Sequence, residues 1–458
     1  MKFYSENISP DSLSGAIFSI EGIRDACVVL NGPTGCKFYH SAISDSQFHH
    51  SLGFDAGVYS EGFYLGQSRV PSTYLDSQDY IFGAGEKLER ILRDAGRRGC
   101  KLIAVINSPG AALIGDDLEG ILRREVRGVP CFALENSGFS GTFGAGYQRA
   151  LMKVIDALSL SPRKRGLHED LRTDGRQMNS SKFMTDGHRM NGGNKVNLLG
   201  FCIYQKHYDG SIRALKNLLE RCGIEVVSTP GALDSLEAVA RLPEADLNVA
   251  VYPEYARELG EKLEAELGIP LLCLREGPPL GFDAAAAFVR EICAALDRES
   301  AAALEAIARA RGRAYYYLAR FSSLLGLPKG ALFSIRAEAS TAYALTRWLC
   351  GYLGMIPAAI SVLPGADGPS LKKLEDFLEG IHYREVLDQP VLERETHLLF
   401  ADGNTIAALK LAGKTFCGIE IALPSLGYLD ITGKALLGET GALFLLEQIM
   451  NGLRYVLT

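Results

Sequence analysis

The chain has 458 residues, 47% of them hydrophobic, and a net charge of −6, with an isoelectric point near 5.9. At roughly 150 residues per domain this length carries about three cores, and the lack of a long basic run argues against a nucleic-acid partner. No uncharged apolar segment of roughly 18 residues occurs, which argues against a membrane span. Met1-Lys2-Phe3-Tyr4-Ser5-Glu6 lacks the shape of a secretory signal, and ten cysteines are too dilute for a disulfide scaffold, so cytoplasm is the expected compartment.

In chain order, apolar strand-like runs alternate with amphipathic helices in three blocks. The first holds strands at Ala26–Leu30, Leu102–Ile106 and Pro130–Leu134, with a helix over Gly85–Leu92 among the segments between them. A polar stretch from Ser159 to Asn194, rich in Arg, Asp, Gly, Ser and Met, then breaks the pattern and reads as a mobile or partner-dependent insertion. The second block runs from a strand at Lys195–Phe201 through a helix at Gly210–Arg221 to strands at Glu225–Val227 and Leu247–Val251. The third follows an Ala-rich helix over Ala301–Arg311 and holds strands at Ala331–Ile335, Ala358–Val362, His397–Phe400 and Thr415–Ile419. Near-continuous apolar strands alternating with helices predict parallel, doubly wound sheets. The expected fold is α/β with three Rossmann-like domains over 1–158, 195–300 and 301–458, the last carrying a C-terminal helix, with 159–194 as the insertion. Ligands of such sheets gather at the carboxyl ends of strands, so the loops after strands are where chemistry is expected.

Cys36 lies in such a loop, Asn31-Gly32-Pro33-Thr34-Gly35-Cys36. A buried turn thiol is the plain reading and a cluster ligand the functional one. One thiolate cannot hold an iron–sulfur cluster alone, since these clusters usually take four ligands. Asp11 opens a helix and suits its N-cap; Ser108, before Pro109, is a natural N-cap as well, and Asp116 or Asp117 suits the helix beginning near Leu118. Cys27, Cys131, Cys202, Cys273, Cys350 and Cys417 read as reduced core residues, and Cys100 as structural. His49 and His50 are adjacent and would point to opposite faces of a strand, so they make no shared metal site. Gly83-Ala84-Gly85 lacks the Lys-Ser/Thr of a phosphate loop, and Tyr315-Tyr316-Tyr317 with Phe321 reads as core.

Taken in order, Gly32-Pro33-Thr34-Gly35-Cys36, Phe82-Gly83-Ala84-Gly85-Glu86-Lys87-Leu88, Leu113-Ile114-Gly115-Asp116-Asp117-Leu118 and Gly138-Phe139-Ser140-Gly141 resemble motifs of the nitrogenase component 1 superfamily. Pro424-Ser425-Leu426-Gly427, followed by Leu437-Gly438-Glu439-Thr440-Gly441-Ala442, is similar to its closing motif, and the likeness runs nearly end to end outside the insertion. The resemblance implies three Rossmann-like domains, pairing of two related subunits, an iron–sulfur cluster at their interface and electrons delivered by an ATP-hydrolysing iron protein. No Walker motif occurs here, so ATP would belong to that partner. By the same resemblance, subunits with a full half-site carry cysteine at the positions of Asp11, Cys36 and Ser108, and this chain keeps only Cys36. What it implies is a 4Fe–4S cluster completed by three cysteines of a related subunit plus Cys36. The alternative is a homodimer whose two Cys36 thiolates are joined by Asp11 or Ser108 oxygens.

The cysteine and histidine that hold the iron–molybdenum cofactor in other members have no counterpart: Tyr252 follows Leu247–Val251, and Tyr428–Gly438 contains no histidine. The implied function is therefore a β-type subunit of a nitrogenase-like reductase. It would relay electrons through the interfacial cluster to a substrate or metallocofactor site between the domains. A tetrapyrrole, an organosulfur compound or another unsaturated small molecule would serve as substrate. A metallocofactor-assembly scaffold and a homodimeric tetrapyrrole reductase are the alternatives.

Overall fold

The computed structural model describes residues 10–37, 70–97, 99–135, 141–162 and 193–457. His49, His50, Gly138–Ser140 and all but the ends of the 159–194 insertion lie outside them.

Three parallel sheets organise these residues. The N-terminal sheet contains β1 (Ala26–Asn31), β2 (Leu102–Asn107) and β3 (Cys131–Leu134) in the order β1-β2-β3. The middle sheet contains β4 (Lys195–Leu199), β5 (Glu225–Ser228), β6 (Leu247–Ala250) and β7 (Leu271–Cys273), ordered β5-β4-β6-β7. The C-terminal sheet contains β8 (Leu332–Ala337), β9 (Ile356–Val362), β10 (Leu398–Asp402) and β11 (Cys417–Ala422), ordered β11-β10-β8-β9. Every pairing is parallel. Helices cover both faces of such sheets, which is why the central strands are apolar and buried along nearly their whole length. Strand β7, only three residues long and half-buried at an edge, carries too short an apolar run to announce itself in the sequence.

The winding direction reverses between β4 and β6 in the middle sheet and between β8 and β10 in the C-terminal sheet. Loops leaving adjacent strands there turn to opposite faces and open a crevice. Helices Ser12–Glu21 and Phe143–Leu158 tie the N-terminal sheet to this arrangement. They cross in backbone contact, because a Cβ on Gly15 would overlap the Phe143 carbonyl and one on Gly146 the Ser12 carbonyl.

Two expectations change. The Ala-rich helix continues to Leu325, 25 residues in all, and Tyr315, Tyr316 and Tyr317 on its distal half are 67%, 64% and 54% exposed rather than core. Consecutive helical residues point about 100° apart, so three in a row cannot share one buried face. Phe321 alone of that group packs partly against the core. Among the described residues no helix is long and apolar enough to cross a membrane.

Candidate functional site

The carboxyl end of β1 leads through Gly32 and Pro33 into a short turn of 3-10 helix, Thr34–Lys37, that carries Cys36. Asn31 is in register with Asn107 at the end of β2, so the residues after both strands emerge side by side, and the Ser108 N–H donates to the Asn31 carbonyl at 2.9 Å. Gly32 is required by this approach, because a Cβ there would overlap the Ser108 hydroxyl. A buried polar network holds the loop bases. Asn31 Nδ2 donates to Asn107 Oδ1 at 3.0 Å, Asn107 Nδ2 to Glu135 at 2.7 Å, and the Thr73 hydroxyl to Asn31 Oδ1 at 2.9 Å.

Asp11, Cys36 and Ser108 come together at this point. The half-buried Cys36 thiol has its pKa raised, chiefly by burial; a hydrogen bond with the Ser108 hydroxyl pulls it down and the nearby Asp11 carboxylate pushes it further up. Both oxygen-bearing residues also cap helices. Asp11 accepts from the Ser14 N–H at 2.9 Å, and Ser108 from the Ala111 N–H at 3.3 Å. Asp117 caps its own helix through the Gly120 N–H at 2.9 Å, while Asp116 accepts from the Ala84 N–H, also at 2.9 Å, before helix Gly85–Arg97. Those two carboxylates are therefore structural. Cys27, Cys100 and Cys131 pack with the apolar core of the N-terminal sheet. Among the described residues, no group of three or more His, Cys, Asp or Glu side chains is arranged to hold a metal ion. Among the described residues this locus thus presents one thiol flanked by two oxygens, a donor set that fits one contributed ligand.

A second site lies next to this one. Asp11 forms an isolated bridge with Thr142, and their neighbours Pro10 and Phe143 line a small cleft, open to solvent and with about 20 Å³ of accessible space, where the three sheet units meet. The loops at both winding reversals supply its other walls: Tyr204 after β4, Glu254 and Tyr255 after β6, and Glu338 after β8, with Leu363–Ala366 after β9 closing one side. Phe143 stands 4.9 Å from Tyr204 and edge-on to Tyr255 at 5.6 Å. The Tyr255 hydroxyl donates to Glu338 Oε1 at 2.5 Å. Ser340 binds both oxygens of Glu254, through its N–H and its hydroxyl, each at 2.7 Å, which clamps the start of helix Ala339–Gly351. Burial pushes the Glu254 carboxyl up to about 7; the Ser340 bonds oppose this and the Glu338 charge adds to it. Glu338 is raised as well, again first by burial, with the Tyr255 hydrogen bond opposing. Sequence reasoning directed attention to loops after strands but had no local signal to separate Glu254 and Glu338 from the other acids.

Parallel Rossmann-like units that turn their strand ends toward a shared cleft define an α/β protein whose chemistry sits between its domains. The chain belongs to the nitrogenase component 1 type oxidoreductase family, whose pattern matches residues 12–454. It is 26% identical over 264 residues to the nitrogenase iron-molybdenum cofactor biosynthesis protein NifE of Clostridium pasteurianum, covering 56% of this chain and 48% of that protein. It is 32% identical over 195 residues to one of the subunits of the light-independent protochlorophyllide reductase of Halorhodospira halophila, covering 40% of this chain and 33% of that one. The chain thus spans half or less of the length of these curated relatives. A structure of nitrogenase Cp1 at pH 6.5 superposes with a TM-score of 0.70 at 16% identity, covering 98% of this chain and 94% of that chain, a likeness of fold.

Proposed function

We propose that this chain is a cluster-sharing subunit of a nitrogenase-like, ATP-dependent reductase, organised as domains over 1–158, 195–300 and 301–458. In this reading Cys36 supplies one ligand of an interfacial 4Fe–4S cluster, and a related subunit supplies three cysteines. The observation that carries it is the convergence of Asp11, Cys36 and Ser108 within one step of the cleft, through Pro10–Asp11 and Thr142–Phe143. The cluster, when bound, supplies electrons one at a time. The chain's own part is to hold Cys36 on a rigid turn, to bury its thiol so that a metal rather than a basic side chain draws off the proton, and to present the adjoining cleft to a substrate. ATP would bind only on the partner iron protein. Ile81, Phe82 and Leu113, 74%, 82% and 87% exposed, are apolar side chains on the same unit as the Cys36 loop that a docking partner would cover.

The proximity of Asp11 and Ser108 to the thiol favours, as second reading, a homodimeric tetrapyrrole reductase with oxygen ligands. The likeness to NifE favours a metallocofactor-assembly scaffold as third. Co-purification with an encoded related subunit, followed by iron and sulfide analysis and anaerobic EPR, tests the proposal. A reduced 4Fe–4S signal that Cys36→Ala abolishes is expected; an unchanged signal in the variant would sink the ligand assignment. Native mass measurement separates the readings, since an intact cluster in a homodimer contradicts the heteromeric one. Cluster transfer to an apo-enzyme without substrate consumption identifies the scaffold.

A further inference from the structure

The helix Ala301–Leu325 needs one apolar face to pack and has two. The first, formed by Ala303, Ile307, Ala310, Ala314, Leu318 and Phe321, recurs every three or four residues and lies wholly or partly in the core. The second lies about a quarter turn away and consists of Arg313, Tyr316, Tyr317, Arg320 and Leu324, again at the spacing of one helical side. Among the described residues nothing covers it: Tyr316 and Tyr317 are more than half exposed, and Leu324 is 72% exposed. The two tyrosine rings meet edge to face with centroids 5.3 Å apart, so they stand as one block. The charges on this ridge differ from those on the rest of the helix. Arg309 is paired with Glu305 at 2.5 Å, and Arg311 with Asp283. Arg313 and Arg320 are both exposed, and neither has an acid within ion-pair distance among the described residues. They are seven residues apart on the sequence, two turns or about 10 Å along the axis. Tyrosine and arginine are the residues in which the energetic centres of protein interfaces are enriched.

We propose that this ridge docks a helix of a partner protein that presents two carboxylates two turns apart with apolar side chains between them. The apolar side chains cover Tyr316, Tyr317 and Leu324, and the carboxylates pair with Arg313 and Arg320. Charge separates this occupant from the others. Two copies of the ridge related by a twofold axis would set Arg313 of one against Arg320 of the other, like against like. The 159–194 stretch holds more Lys and Arg than Asp and Glu, so it does not supply the acids. A net charge of −6 without a long basic run disfavours nucleic acid.

Fluorescence anisotropy of the full chain with a stapled helical peptide, bearing Glu at positions i and i+7 and Leu at i+3 and i+4, tests this. The control is the same peptide with Lys in place of both Glu. The Glu peptide should bind about tenfold more tightly, the order of effect that two exposed ion pairs produce together, and added salt should narrow the gap. Arg313→Glu combined with Arg320→Glu should invert the preference. Tyr316→Ala combined with Tyr317→Ala should weaken binding of the Glu peptide about tenfold or more. All four positions are exposed, and matching melting curves for the variants establish that the fold is intact. Equal binding of the two peptides, no binding of either, or a preference that survives the double charge reversal would each overturn the inference. So would oligothymidylate that binds more tightly than the Glu peptide, which assigns the ridge to nucleic acid. Self-association of the chain that is lost with Tyr316→Ala and Tyr317→Ala would overturn it as well, and assigns the ridge to a second copy.

Discussion

Lys206 and Glu254 both stand at the junction of the middle and C-terminal units, and the acids around them are treated in opposite ways. Glu420 is enclosed by Lys206 Nζ, by the Ser425 hydroxyl and by the N–H groups of Leu426 at 3.0 Å and Gly427 at 2.8 Å. Burial alone would raise its pKa, but those donors outweigh it and the carboxyl stays below its ordinary range. Asp430 adds a second carboxylate 3.1 Å from the same ammonium. Glu254 is as deeply buried, yet its donors among the described residues are the Ser340 N–H and hydroxyl and its own backbone N–H, and the charge of a second acid, Glu338, acts on it. The first centre is a latch that holds two units at fixed distance. The second has hydrogen-bond donors but no bonded cation among the described residues, and it lines the cleft.

The largest expected effect comes from breaking the matched centre. Lys206→Met leaves Glu420 buried without its cation and should cost about 3–5 kcal/mol in urea unfolding. The double change with Glu420→Met should recover much of that, because apolar replacement of both partners removes the uncompensated charge. A loss below about 1 kcal/mol would show that the pair is not the latch described.

The unmatched centre should instead reveal itself through pH. The folded-state pKa of Glu254, about 7, lies above the ordinary 4.5. The folded chain therefore binds more protons than the unfolded one between those values, and stability falls as pH rises. The contribution is fully present below the unfolded value and is lost as pH rises through the folded one. From about pH 8 to about pH 5, the unfolding free energy of the wild type should gain on that of Glu254→Gln by up to about 3 kcal/mol. A flat difference would mean that Glu254 is balanced after all. A smaller effect, about 1 kcal/mol, is expected for Tyr255→Phe, which removes the hydroxyl donating to Glu338. It should shrink at acidic pH, where a protonated Glu338 no longer needs that donor; an equal cost at both ends would detach Tyr255 from the charge of the pair.

The same contrast explains how much could be read from the chain itself. Strands β1, β2, β6 and β8 are apolar runs whose burial on both faces writes them into the sequence, and motif order around Cys36 placed the family. The turn holding Cys36 was legible because Gly32 and Pro33 are local signals. Tyr315–Tyr317 misled, because aromatic composition does not say where a helix leaves the layer it packs on. The cleft was not legible beyond its general place. Glu254 and Glu338 are 84 positions apart, one after β6 and one after β8, and only the reversals in strand order bring them to one space.

The smallest effects on stability should fall at the three positions of the Cys36 locus, where they distinguish a structural from a chemical role. Asp11 is a well-formed N-cap, with an extended backbone and a 2.9 Å bond to the Ser14 N–H, so Asp11→Ala should cost about 1 kcal/mol. The Ser108 hydroxyl is 3.3 Å from the Ala111 N–H, a longer bond on a helix of four residues, so Ser108→Ala should cost less, roughly 0.5 kcal/mol. Cys36 is half-buried and makes its side-chain hydrogen bond with Ser108; Cys36→Ala should change stability least. Iron in the co-purified complex should follow the reverse order, falling most for Cys36→Ala and least for Asp11→Ala. If Asp11→Ala removed as much iron as Cys36→Ala at no greater cost in unfolding, the oxygen would be a ligand in its own right. The homodimeric arrangement would then replace the shared one.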